Sequence, residues 1–140
     1  ENEAKWTGPT PVPDNVTEPY WRGLSESRLR LQRCVNCSAW NHYPKPRCAR
    51  CHSDQLTFEE VDGHGTVYSH TIVHREFVVG IKPPYVSALV DIKSAPGVRI
   101  LSYIVGCDPK TVSVGMDVRP VFHPIPGEVP VGLLWFKPAS

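Results

Sequence analysis

The sequence lacks the features that mark membrane-spanning, secreted and strongly basic proteins. It has no apolar run approaching the roughly 18 residues of a membrane span, and no charged start followed by an apolar run marks a signal peptide. Fifteen Lys and Arg residues oppose 14 Asp and Glu residues, so the net charge of +1 exerts no long-range attraction on nucleic acid or anionic membranes. These absences predict a soluble, cytoplasmic protein in which any basic site is local.

Catalytic motifs are also missing. The chain contains no paired-carboxylate, serine-elbow, phosphate-loop or dinucleotide-binding pattern. His64, His70 and His74 lie in or beside one predicted strand, where their spacing spreads them over roughly 13 to 20 Å. We interpret them as surface or barrel-lining residues, because one strand cannot close a metal site over that distance. Cys107 is a lone thiol without an adjacent His, and we expect no nucleophile there.

Four of the five cysteines form the most informative pattern in the chain. Cys34, Cys37, Cys48 and Cys51 stand as C-x2-C-x10-C-x2-C. Two such knuckles supply four thiolates to a tetrahedral zinc ion at about 2.3 Å, because the two-residue spacer lets the chain wrap one side of the metal. Two disulfides are the alternative, but a C-x2-C disulfide closes a tiny loop and constrains little. The spacing therefore predicts a structural zinc site.

The region around these cysteines is predicted to form a short helix and a ribbon. Residues 1–28 form an extended, proline-rich arm followed by a helix, in which Tyr20, Trp21 and Leu24 lie at helical spacing. Alternating leucines then predict a strand that leads into the first cysteine. The zinc ribbon accordingly spans residues 29–55, with an aromatic and proline-rich loop between the knuckles that we interpret as a cover for the metal. The alternative is that this loop is a docking surface.

Beyond the ribbon, residues 56–140 are predicted to be almost entirely β. A turn at Pro96-Gly97 predicts an antiparallel hairpin between the third and fourth strands. Five or six short strands with little helix favour a small closed barrel, and the OB-fold suits this size. The fold class is therefore mainly β, with a rubredoxin-like ribbon before an OB-fold barrel. The predicted strands are residues 56–61, 65–74, 85–92, 98–105, 118–122 and 131–136.

The order of these parts resembles a known family. A Trp-containing helix, LRLQRC at residues 29–34 and the four-cysteine ribbon precede GTVYSHT at 65–71, PYVSALVD at 84–91 and GMDV at 115–118. Together they resemble the zinc-ribbon plus OB-fold family that accompanies thiolase-like enzymes acting on acyl-CoA. The match covers almost the whole chain beyond the arm. Within that family the chain is most similar to the domain that partners a thiolase-like aldolase in bacterial steroid side-chain degradation.

The resemblance implies a noncatalytic accessory subunit or domain of an acyl-CoA enzyme complex, with zinc as a structural cofactor. Its partner would be a retro-aldolase that cleaves a steroid side-chain CoA thioester and supplies the catalytic residues. The assembly would be a heterotetramer of two partner subunits and two copies of this chain, with a hot-dog-fold hydratase domain fused or separate. The alternative is a single-stranded nucleic-acid-binding module in which Tyr68, Tyr85 and Tyr103 stack on bases, although the near-neutral charge argues against it.

Two ribbon positions depart from the family pattern. Members usually carry glycine directly after each knuckle, where the turn favours a left-handed backbone, whereas this chain has Ser38 and His52. His42 and His52 are also metal-binding residue types, but four cysteines already fill the usual shell of zinc.

Residues 75–82 are the first candidate contact surface. Their apolar centre, formed by Phe77, Val79 and Ile81, lies between basic ends, which favours contact with a partner or an acyl chain. Alternatively, these three residues extend a strand and bury one face.

Basic residues of the ribbon are the second candidate surface. Arg47 and Arg50, with Arg33 and Lys45, are candidates for binding CoA phosphates, since guanidinium groups bind phosphate by paired hydrogen bonds. The alternative is ordinary solvated charge.

Overall fold

The computed structural model describes residues 10–76 and 81–139, and in this part of the chain it contains one α-helix and eight strands. None of its helices is long and apolar enough to cross a membrane. The mainly β fold is confirmed. The elements are α1 (Glu18–Ser25), β1 (Leu29–Cys34), β2 (Trp40–Asn41), β3 (Leu56–Val61), β4 (Gly65–Val73), β5 (Tyr85–Ile92), β6 (Arg99–Ile104), β7 (Asp117–Ile125) and β8 (Val131–Pro138).

The ribbon sheet has the strand order β2-β1-β3 and is antiparallel throughout. β3 pairs with β1 along its whole length, from Leu29 opposite Val61 to Cys34 opposite Leu56. Residues 56–61 are predicted to belong to the barrel segment, whereas in the structure they pair with β1 in the ribbon sheet and the closed barrel consists of β4 to β8. Local pattern does not reveal this, because a six-residue strand carries no mark of the sheet to which it pairs.

The remaining five strands form a closed barrel in the order β4-β5-β6-β8-β7. β5 alternates buried and half-buried residues along its whole length, the period-two pattern of a strand with one face in a core. It forms the predicted antiparallel hairpin with β6. β6 and β8 close the barrel in parallel at one residue pair, Ile104 with Phe136, where Val105 N–H also donates to the Phe136 carbonyl at 2.7 Å.

Four of the five barrel strands differ from their predicted bounds, β4, β6 and β8 by one or two residues and β7 by up to three. β4 carries a bulge between Val67 and Ser69, which interrupts the regular alternation of its side chains between the two faces of the sheet. β7 continues three residues past the predicted end at 122 despite containing Pro120 and Pro124. It pairs with β4 only at its first two residues, so farther along, this edge pairs with no strand among the described residues and tolerates residues without an N–H.

One hydrophobic core joins the ribbon to the barrel. Phe136, Val90 and Ile100 fill the barrel, and Leu29 and Leu31 of the ribbon belong to the same buried cluster. The buried residues of α1, Tyr20 and Leu24, pack there too. The cysteine-bearing ribbon therefore packs on the barrel through β1 and α1.

Candidate metal centre

The predicted knuckles bring four thiols together. The sulfur atoms of Cys34, Cys37, Cys48 and Cys51 all lie within 4.8 Å of one another, and across the knuckles Cys34–Cys51 and Cys37–Cys48 are separated by 3.5 and 3.6 Å. These separations exceed the roughly 2.05 Å of a disulfide and approach the roughly 3.8 Å between ligands of a tetrahedral zinc–thiolate site. Among the described residues, this is the one group of three or more His, Cys, Asp or Glu side chains arranged to hold a metal.

The two knuckles have the same backbone geometry. Ser38 N–H donates to the Cys34 carbonyl and His52 N–H donates to the Cys48 carbonyl, both at 2.9 Å. Ser38 has φ 66° and His52 has φ 65°, so both residues adopt the left-handed conformation for which glycine is usual. His52 is therefore a turn residue, and it contributes to the knuckle through its backbone N–H and its left-handed φ.

Backbone and side-chain amides surround the sulfur atoms. Cys37 N–H donates to Cys34 Sγ and Arg50 N–H donates to Cys48 Sγ, both at 3.4 Å, while Asn36 Nδ2 donates to Cys51 Sγ at 3.5 Å. The backbone N–H of Cys51 is the chief reason that the pKa of Cys48 is lowered to about 6, and the Asn36 amide is the chief reason that the pKa of Cys51 is lowered. Donors of this kind favour the thiolate, the form that binds metal.

Two buried amides that sequence analysis missed hold the loop between the knuckles against the sheet. Gln32 of β1 lies opposite Asn41 of β2. The Gln32 amide accepts from Lys45 N–H at 2.9 Å and donates to the Lys45 carbonyl at 2.8 Å. Asn41 Oδ1 accepts from Ala49 N–H at 2.9 Å. Their polarity conceals them in the sequence, because strand alternation assigns polar residues to the solvent face.

Two family models match the chain in tandem. One, described as the ChsH2 rubredoxin-like zinc ribbon domain, matches residues 21–57, and the other, described as the ChsH2 C-terminal OB-fold domain, matches residues 58–123. A DUF35 domain-containing scaffold protein of Methanocaldococcus jannaschii is 32% identical over 118 residues, which cover 80% of each chain. The chain belongs to the ChsH2/DUF35 family.

Longer relatives and a solved structure extend the comparison. A probable enoyl-CoA hydratase alpha subunit of Thermomonospora curvata is 31% identical over 84% of this chain. The 3-oxo-4,17-pregnadiene-20-carboxyl-CoA hydratase alpha subunit of Mycobacterium tuberculosis is 32% identical over 84% of it. The DUF35 chain spans 36% and 41% of these two proteins, respectively. A chain of the solved Ltp2-ChsH2(DUF35) aldolase superposes with a TM-score of 0.79 and 28% identity, over 93% of this chain and 99% of that one.

The cover of the DUF35 ribbon is aromatic and connects it to α1. The His42 ring lies 5.2 Å from that of Tyr20 and 4.0 Å from that of Tyr43. Both His42 ring nitrogens are buried without a hydrogen-bond partner among the described residues. Burial lowers the pKa of His42 to about 4, because the imidazolium form would lose its hydration. His42 therefore packs as a neutral ring between the helix and the ribbon.

The predicted contact residues are only partly accounted for. Phe77 and Val79 lie outside the described residues, and Ile81 is half-buried ahead of β5. Arg33 donates to the Ser38 carbonyl at 3.0 Å and pairs with Glu59 at 3.3 Å, so its charge is used within the ribbon. Arg47 is exposed and donates to the His52 carbonyl at 3.2 Å, and Arg50 is exposed.

Aromatic side chains on the barrel surface contact other side chains. The Arg99 guanidinium lies 3.5 Å from the centre of the Tyr68 ring and pairs with Asp91 at 2.7 Å. Tyr85 and Tyr103 meet edge to face, with ring centres 5.4 Å apart. A groove of about 160 Å³ between α1, β6 and β8 is lined by uncharged residues. Three tyrosines predicted as stacking platforms are thus engaged with neighbours, and this groove lacks the basic residues that nucleic acid requires.

Proposed function

We propose that the four cysteines bind a structural zinc ion and that the chain is a noncatalytic accessory subunit or domain of a thiolase-like aldolase. Four thiolates satisfy the tetrahedral preference of zinc and leave no open position for substrate or water. The metal would cross-link the two knuckles and fix the loop between them. The zinc-ribbon family match and the convergence of the four thiols support this assignment.

The aldolase role is supported chiefly by one comparison. The solved chain of the Ltp2-ChsH2(DUF35) aldolase aligns over nearly its full length, so nothing large in that chain lacks a counterpart here. The partner would be a thiolase-like retro-aldolase that supplies the catalytic residues and cleaves a steroid side-chain CoA thioester. The name of the Mycobacterium tuberculosis relative, a steroid-type acyl-CoA hydratase subunit, supports that substrate class. The assembly would contain two copies of each subunit, with a hydratase domain fused or separate.

Purification of the protein from its source lysate, with identification of bound proteins by mass spectrometry, tests this role. We expect a stoichiometric thiolase-like protein, and light scattering of the complex then gives the ratio of subunits. The complex should cleave a steroid side-chain CoA thioester, whereas the isolated chain should not. Turnover by the isolated chain, or a salt-dependent affinity for single-stranded oligonucleotides in place of a protein partner, would contradict the proposal.

The partner surface is tested separately. Phe77, Val79 and Ile81 are proposed to contact the partner or the acyl chain, so the double variant Phe77→Ser and Ile81→Ser should weaken the complex while the isolated chain stays folded. Loss of folding would indicate instead that these residues belong to a core.

CoA binding has its own test. Arg47 and Arg50 are proposed to contact the CoA phosphates, and changing both to Ala should lower the affinity of the complex for CoA. The variant Arg28→Ala is a matched control, because Arg28 is also exposed but pairs with Glu60 at the far end of β3. An unchanged CoA affinity in the double variant would remove the phosphate role.

A further inference from the structure

A buried asparagine beside the metal centre lacks a partner for half of its side chain. Asn41 is 3% exposed, and its Oδ1 accepts from the backbone N–H of Ala49. That bond fixes the orientation of the amide, so Nδ2 is the donor on the other side. Nδ2 is buried and makes no hydrogen bond of regular geometry with any described residue. Burying an unsatisfied donor costs free energy, so its presence requires an explanation.

The Asn41 side chain is anchored beside Cys48 of the second knuckle. Ala49, which anchors Asn41, directly follows Cys48 in the chain. The Asn41 side chain is also one of the groups that lower the pKa of Cys48, after the backbone N–H groups of Cys51 and Arg50. The anchor at Ala49 and the buried, unpartnered donor together make Cys48 Sγ the candidate acceptor.

We propose that Asn41 Nδ2 donates a hydrogen bond to Cys48 Sγ when that sulfur is a metal-bound thiolate, and that it thereby strengthens metal binding by the second knuckle. A thiolate is a better acceptor than a thiol, because hydrogen bonds to charged groups are the stronger ones. Partners behind the direct ligands of a metal are typically worth about 10- to 100-fold in affinity. Asn41 is thus a positioning residue, and this role rests on the zinc site proposed above.

The cross-strand neighbour of Asn41 provides a matched control. Gln32 is also 3% exposed and lies directly opposite Asn41. Both ends of its amide bond to Lys45, so its donor is already satisfied by a backbone carbonyl. Gln32→Glu therefore introduces a buried carboxylate into the same sheet without removing a donor from a sulfur atom.

Asn41→Asp is the corresponding test variant. It keeps an oxygen for the Ala49 N–H but replaces Nδ2 with an oxygen that repels a thiolate. The full chain and both variants would be loaded with Co²⁺, and its affinity measured by chelator competition together with the sulfur-to-cobalt charge-transfer absorption. We expect Asn41→Asp to bind Co²⁺ at least about tenfold more weakly and to shift this absorption. Gln32→Glu also loosens the loop between the knuckles, so it should lower thermal stability and weaken Co²⁺ binding by less, but it should leave the absorption unchanged.

A measurement on the unmodified chain tests the proposed hydrogen bond even if the variants do not fold. In protein loaded with ¹¹³Cd, a hydrogen bond from Asn41 to a metal-bound sulfur should give a scalar coupling between cadmium and an Asn41 side-chain amide proton. Absence of that coupling, or equal Co²⁺ affinity and absorption in Asn41→Asp, would overturn the role of Asn41. Failure of the unmodified chain to bind Co²⁺, Cd²⁺ or Zn²⁺ would instead overturn the zinc site itself.

Discussion

At the scale of single residues, Ser38 and His52 show that the knuckles keep a left-handed backbone even where glycine, the residue suited to it, is absent. Both have left-handed φ values at equivalent positions of the two knuckles. A side chain in this conformation is strained because its Cβ approaches the backbone, and glycine avoids that contact. The turn is retained because each of these residues donates its N–H to the carbonyl of the first cysteine of its knuckle.

Replacing either residue with glycine should therefore stabilise the protein. We expect Ser38→Gly and His52→Gly each to raise the free energy of unfolding by up to about 1 kcal/mol, because relief of strain exceeds the added entropy of the unfolded chain. Ala49→Gly is the control, since Ala49 lies in the second knuckle without a positive φ and should lose stability. Denaturant titration measures the free energy of unfolding of the three variants. Equal losses of this free energy in all three would contradict the strain argument.

His42 should make stability depend on pH. Its pKa is about 4 in the folded protein and near 6.5 when unfolded, so the unfolded chain binds more protons between these values. Stability is therefore present above about pH 6.5 and falls as pH decreases toward 4, by about 2 kcal/mol between pH 7 and pH 5. The rings facing His42 belong to Tyr20 and Tyr43, which are neutral in this range because the ordinary pKa of tyrosine is about 10 and burial raises it further in both.

The variant His42→Phe isolates this contribution. It retains an aromatic ring between Tyr20 and Tyr43 but does not titrate, so its stability should fall less over the same pH interval. Denaturant titrations of both proteins at each pH measure the difference, and acid weakening of the metal site is shared by the two. If the free energy of unfolding changes with pH in the same way in both proteins, protonation of His42 does not oppose folding.

At the scale of elements, α1 packs on β8 at a position that admits no side chain. A Cβ on Gly132 would lie 2.7 Å from the backbone carbon and oxygen of Leu24. The helix backbone consequently contacts the strand directly, which holds the Tyr20 and Leu24 side chains in the core. The apolar spacing predicts the helix but not its close approach to β8, because that contact depends on an element more than a hundred residues away.

Gly132→Ala should displace α1. We expect a loss of about 1–3 kcal/mol in the free energy of unfolding, as for overpacked cores, and faster hydrogen exchange at the α1 amides. Gly65→Ala is the comparison, because its Cβ would meet the Asp91 carbonyl oxygen at 2.5 Å and so strain the β4–β5 pairing instead. If hydrogen exchange of α1 increases equally in the two variants, the contact at Gly132 is not what holds the helix.

At the scale of the whole molecule, the architecture and the cysteine cluster follow from the sequence, whereas the way the parts join does not. Cysteine spacing brings Cys34 beside Cys37 and Cys48 beside Cys51, because each knuckle is a local turn. The pairing of β3 with β1 and the buried amides of Gln32 and Asn41 depend on contacts between distant segments. Local periodicity records which face of a strand is buried but not which strand lies beside it.

This arrangement predicts how the molecule responds to loss of metal. The core side chains of the barrel, among them Val90, Ile100 and Phe136, form a cluster to which none of the four knuckle cysteines belongs. Removing the metal with a chelator should therefore lower the melting temperature and increase hydrogen exchange in β1, β2 and β3, because a metal bound only by the folded state contributes its binding energy to folding. Protection in β5 and β6 should persist.

Two cysteine variants make this prediction specific. Cys34→Ser removes a predicted ligand whose sulfur is buried, and it should reproduce the effect of the chelator and lower the zinc content measured by elemental analysis. Cys107→Ser alters a half-buried thiol outside the knuckles and should leave both the zinc content and the exchange pattern unchanged. Loss of protection in β5 and β6 together with the ribbon would show that the ribbon and barrel unfold as one cooperative unit, which their shared core through Leu29 and Leu31 would then explain.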